Sequence, residues 1–234
     1  MRIRDLALVQ GLDGTRATLA RWNASPGSVV GRWALGSLAV SVALLYVVWA
    51  ISHRTVPDTR PLLLPGVTGP AGAGDVARVL ARNSLVLTLH AMACVAGYIA
   101  GSALPAEAEQ HRGTWRRVHE LAGPAAIAFV GGATLFSLVT QAFVLGSDAS
   151  TLGHQLGIGH AMLILTLLPH ALPELVALFL PLAAWLVASR RGRWDELLAA
   201  TVATVALALP VLVVTALVEV YVWPHLLRAA SPLG

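Results

Sequence analysis

Five uninterrupted apolar runs, at 33–52, 78–103, 121–146, 157–189 and 197–222, constrain this chain more than anything else in it. A run of about twenty apolar residues is long enough to cross a bilayer as a helix. Lipid demands that every backbone polar group be satisfied internally, which leaves helices or a closed barrel. A barrel would show alternating segments of about ten residues; here the runs are continuous. Charged residues make up only 12% of the 234, against about 25% in soluble domains. The pattern predicts an all-α, polytopic membrane protein with five transmembrane helices.

The connections set the organisation. Residues 1–32 form a basic tail with Arg2, Arg4, Arg16, Arg21 and Arg32, interspersed with Ile3, Leu6, Leu8, Leu12, Leu19 and Trp22. That mixture suits either a cytoplasmic tail or an interfacial helix on the inner leaflet. It is too long for the usual n-region of a signal peptide, so 33–52 reads as a retained span. Residues 53–77 are rich in proline and glycine and read as an ordered or extended loop. Residues 104–120 are polar, 147–156 read as a short connection, and 189–196 as a turn. A single bundle then covers 33–224, with 225–234 as an external tail. All sixteen basic residues are arginines, as codon usage in a GC-rich genome would give. Their scatter over helix ends argues against a nucleic-acid surface. With the N-terminus inside, eleven arginines fall on the inner side and five on the outer, which predicts N-in and C-out. Trp33, Trp115, Trp194 and Trp223 fall near segment ends, where such rings anchor at headgroups. Cys94 is the only cysteine, so no intrachain disulfide forms, and it reads as a packing residue.

The run 157–189 is too long. Its 33 residues would make a helix of about 50 Å, against a hydrocarbon core of about 30 Å. Pro169 and Pro173 sit in its middle, and each removes a helix hydrogen bond. A break is therefore expected between Leu168 and Glu174. Residues 157–168 would form a short re-entrant or interfacial helix, and 171–189 the fourth span.

That break would bring His170 and Glu174 near the outer surface, at a depth matching Glu219 on the fifth span and Asn83 on the second. Ionisable groups inside a membrane need partners or water. His170 and Glu174 are i, i+4 neighbours able to pair, and Arg82 or Asn83 is expected to satisfy Glu219. Two nearby carboxylates repel, so one needs a proton, His170 or an arginine beside it. On the second span Asn83, His90, Cys94, Gly97 and Gly101 share one face, and Gly97 and Gly101 make a small-xxx-small pattern suited to close helix packing. Thr134, Ser137 and Gln141 form a polar stripe on the third span, expected to hydrogen-bond between helices.

No nucleophile elbow, zinc-protease motif or phosphate-cradling loop occurs. The glycines at 69–74 follow no strand. A metal site drawn from His160, His170, Glu174 and Glu219 lacks a second histidine at fixed helical spacing. Neither metal nor cofactor is expected.

The stretch Leu168-Pro169-His170-Ala171-Leu172-Pro173-Glu174-Leu175-Val176-Ala177 resembles the Pro-His-Gly-x-x-Glu-Leu-x-Ala signature of the stage II sporulation protein M family. Ala216-Leu217-Val218-Glu219-Val220-Tyr221-Val222-Trp223-Pro224 is similar to that family's closing motif, an acidic residue before an aromatic-containing run and proline. Asn83-Ser84 after an arginine resembles its asparagine at the start of the second span. The likeness covers 78–224. Ala171 stands where the family has glycine, Pro173 adds stiffness, and Gln141-Ala142 stands where Asn-Gly is common. The resemblance implies a bacterial plasma-membrane protein that anchors peptidoglycan-degrading partners, an amidase/endopeptidase and a lytic transglycosylase.

The leading expectation is a non-catalytic membrane scaffold recruiting cell-envelope partners, with lipid around it and a homo-oligomer left open. The alternatives are a transporter or channel subunit with a His/Glu cavity at a proline-broken helix, and an intramembrane hydrolase.

Overall fold

The computed structural model describes residues 7–109 and 112–233, so Arg2 and Arg4 lie outside the described residues. The protein is all-helical there, with no strand and one isolated bridge, Pro65 to Gly69. In chain order the helices are α1 (Ala7–Asn23), α2 (Pro26–Ser52), α3 (Ala73–Tyr98), α4 (Leu104–Glu109), α5 (Thr114–Leu156), α6 (His160–Arg190), α7 (Leu197–Leu217) and α8 (Trp223–Ala230). Five helical stretches are long and apolar enough to cross a membrane: Pro26–Ser52, Ala73–Ala103, Arg116–Leu156, His160–Arg190 and Trp194–Ala230. The chain is a polytopic helical membrane protein.

Two wide π turns interrupt the regular helices, at Ile99–Ala103 and Val218–Val222. Each ends two residues before a proline, Pro105 and Pro224. A proline cannot donate to the carbonyl four residues back and its ring collides with it, so the turn widens just ahead of the ring.

The expected break is absent. α6 runs unbroken from His160 to Arg190, with Pro169 and Pro173 inside it, and no separate short helix precedes the fourth span. Both prolines stand one turn apart on an exposed face of the helix. There the rings line an open groove beside Pro210, Val211 and Val214 of α7, and only two ladder bonds are lost. A full break would release more backbone polar groups into lipid. The excess length is absorbed as tilt or overhang at about 1.5 Å per residue.

Two boundaries also differ from expectation. Residues 147–156 continue α5 as helix, and residues 225–230 are helical within α8. The polar side chains of 147–156 do not end α5, because they hold the 53–72 loop. Ser150 Oγ donates to the Thr55 carbonyl (2.7 Å), Thr151 Oγ1 accepts from the Asp58 amide (3.0 Å), and Gln155 accepts from the Leu62 amide (3.1 Å) while donating to the Arg60 carbonyl (2.7 Å). The proline-rich loop is thus ordered.

The chain divides into two compact units, each taking part of all five spanning helices. One comprises 1–37, 86–135 and 178–208; the other comprises 38–85, 136–177 and 209–234. In the first, Trp33, Leu180, Ala183, Ala184 and Ala200 form a core, and α1 is tied down where Arg21 meets Glu196 at 3.1 Å. α5 is the least buried of the five spanning helices, with Phe129, Leu135, Phe136 and Phe143 all presented outward, as suits a lipid-facing helix.

Candidate functional site

The second unit collects polar groups from α3, α5, α6 and the π turn after α7. Arg82 and Asn83 come from α3, and His170 and Glu174 from successive turns of α6. Glu219 sits in the π turn and Trp223 opens α8. The π turn re-aims Glu219 relative to a straight continuation of α7, a role such turns often have at functional positions.

Arg82 Nη2 lies 3.8 Å from Glu219 Oε1. The Glu219 side chain is largely shielded while the guanidinium is mostly exposed. Glu174 stands within the electrostatic reach of both Glu219 and Arg82, with the Asn83 side chain beside it. Asp148 of α5 also feels Arg82. Three carboxylates therefore feel the charge of the Arg82 guanidinium, and Glu219 is the one in contact range. Asn83 and His170 are buried, and three buried atoms have no hydrogen-bond partner among the described residues: Asn83 Nδ2, His170 Nδ1 and Glu174 Oε2.

His170 does not pair with Glu174 as expected. Its ring packs against the Trp223 indole, with centroids 5.2 Å apart, and the Trp223 Nε1–H donates to Thr166 Oγ1 at 3.3 Å. Thr166, one turn before His170, thus positions the ring that covers the imidazole. Sequence reasoning missed this role for Thr166 and Trp223, because a tryptophan near a span end reads as a headgroup anchor. Its signal was the spacing of Trp223 four residues after Glu219.

The remaining sequence-derived residues fall elsewhere. In the first unit the buried His90 donates from Nδ1 to the Leu178 carbonyl (2.9 Å) and its ring lies by Phe179. Cys94 donates to the Pro181 carbonyl at 3.1 Å. Gly97 and Gly101 sit where a Cβ would strike Trp185 and Leu197, and the Trp194 side chain, respectively. Thr134 is buried. Gln141 in the second unit donates to Ser137 at 2.9 Å within α5 itself, so that pair is intrahelical instead of bridging two helices. The i, i+4 spacing already places the two side chains together. His160 lies against His53, with ring centroids 4.3 Å apart, and is not part of the Glu174 cluster. Among the described residues no three His, Cys, Asp or Glu side chains are placed to share a metal ion.

No family model, curated protein or solved structure matches the chain.

The cluster holds acid groups, an amide and an imidazole in a partly dry setting with a single exposed cation. Such an arrangement can hold helices together, and it can exchange protons or hold a small polar guest.

Proposed function

We propose that the protein is a bacterial plasma-membrane scaffold of the stage II sporulation protein M type, which recruits peptidoglycan-remodelling partners at the cell envelope. The observation that carries this reading is convergence. Asn83, His170, Glu174 and Glu219 belong to three separate motifs of the resemblance, and they gather in one compact unit. The arginine distribution supports an N-terminus inside and a C-terminus outside, which puts the loop 53–72 on the envelope side and, with α6 unbroken, leaves Glu174 within the membrane. Capture of the protein from membranes in mild detergent after cross-linking should enrich envelope amidases or lytic transglycosylases. Glu174→Ala should reduce that enrichment. Repeated recovery of no envelope enzyme overturns the reading.

The orphaned atoms of Asn83, His170 and Glu174 favour a second reading, a transporter or channel subunit with a proton- or solute-linked cavity. Ionisable and polar groups within a span mark proton and solute paths. Reconstituted vesicles that move protons in the parent but not in Glu174→Gln would favour it over the scaffold.

A further inference from the structure

The first unit carries a second polar feature that neither reading uses. Trp22 at the end of α1 and Trp33 in α2 meet edge to face, with centroids 5.1 Å apart. They form one wall of a hollow whose rim holds Arg32, Arg191 and Arg193 and whose lining includes Glu196. Its floor is apolar, made of alanine and valine side chains from α2, α6 and α7. The hollow is shallow, about 370 Å³ of space counted out to its open mouth. It therefore admits the edge of a group and does not engulf a molecule.

The charges are unevenly satisfied. Glu196 is buried and takes both Arg21, at 3.1 Å, and Arg193. Asp195 next to it is exposed. The Arg32 and Arg191 guanidiniums have no carboxylate or hydrogen-bond partner among the described residues, and both residues are exposed at the rim. Two free guanidiniums beside an indole pair and above an apolar floor match a group that is anionic at one end and apolar at the other. Guanidinium groups suit phosphate oxygens through their forked donors. Tryptophan settles at the headgroup level, and basic pockets between membrane helices hold anionic headgroups.

We propose that this hollow binds the phosphodiester of an anionic phospholipid, with Arg32 and Arg191 on the phosphate and the Trp22–Trp33 wall against the glycerol and upper acyl chain. The proposal is independent of the scaffold reading.

The test is native mass spectrometry of the full chain released from phosphatidylcholine vesicles with and without phosphatidylglycerol. The parent should retain phosphatidylglycerol preferentially. Arg32→Gln/Arg191→Gln should lower that retention about thirtyfold, the combined effect of two surface arginines, and leave phosphatidylcholine retention unchanged. Arg112→Gln/Arg117→Gln, which removes two arginines elsewhere, should behave as the parent. Inorganic phosphate that displaces the lipid would show that the free ion is the ligand; failure to displace it assigns the site to the headgroup. Should the double variant not fold, the salt dependence of phosphatidylglycerol retention in Arg32→Gln alone, shallower than in the parent, supplies the same evidence. Equal phosphatidylglycerol retention by the parent and a folded double variant, or equal salt dependence by the parent and Arg32→Gln, overturns the proposal.

Discussion

Arg82 Nη2 and Glu219 Oε1 stand 3.8 Å apart across 137 positions of sequence, an exposed guanidinium over a shielded carboxylate. The two are not equivalent to lose. Removing the carboxylate leaves a cation that water can reach. Removing the cation leaves Glu219 unbalanced beside Glu174.

Arg82→Gln should therefore destabilise the protein more than Glu219→Gln. The expected difference is about 1 kcal/mol, discounted from the cost of exposing a fully buried charge because Arg82 is largely solvated. Thermal unfolding in detergent measures it. The double variant should resemble Glu219→Gln. Equal losses for the two single variants would mean that Glu219 is balanced by other groups.

Overpacking at α3 gives a second prediction. Gly97→Leu forces a side chain into Trp185 and Leu197, and should cost about 3 kcal/mol or prevent folding. Gly101→Ala meets the Trp194 side chain and should also lower stability. Gly132 on α5 has nothing within reach of an added Cβ, so Gly132→Ala should be neutral or stabilising by up to about 1 kcal/mol. The order of melting temperatures checks all three.

The third prediction concerns the loop docked on α5. Gln155 makes two of its hydrogen bonds, and each is worth about 1 kcal/mol. Gln155→Ala should speed limited proteolysis within residues 56–64 severalfold while the helical content stays unchanged. Cleavage at the parental rate would mean that Ser150 and Thr151 suffice.

Orientation is tested by cysteine labelling. Cys94 is buried and hydrogen-bonded, so it should resist an impermeant maleimide in intact cells. Thr59→Cys should label from outside, and Asp195→Cys only after the membrane is opened. The reverse pattern would invert the topology.

The spans were legible in the sequence because length and apolarity act alone in lipid. Where side chains answer to distant partners, local reading failed. Ser147, Asp148, Ser150 and Thr151 look like a connection, yet they continue α5, and the hydroxyls of Ser150 and Thr151 serve the backbone of a loop more than ninety positions earlier. Pro169 and Pro173 look like a break, yet on an exposed face they cost less than unpaired carbonyls in hydrocarbon would. Asn83, Glu174 and Glu219 were identifiable as charges and amides that lipid cannot accept. The Trp223 cover over His170 was not, since it depends on a π turn that the following proline induces.

That turn has a bearing on how this chain can be compared with others. A π turn holds one residue more than the α-helix around it, so the faces before and after it are out of phase by about 100°, one residue's rotation. A helical wheel drawn straight from Leu197 to Ala230 would put the α8 side chains on the wrong side. A relative that lacks Pro224 and closes the turn needs a one-residue gap in alignment near Val218–Val222 to keep both Ala208 and Leu227 buried. Aligned without the gap, its buried positions would masquerade as lipid-facing ones.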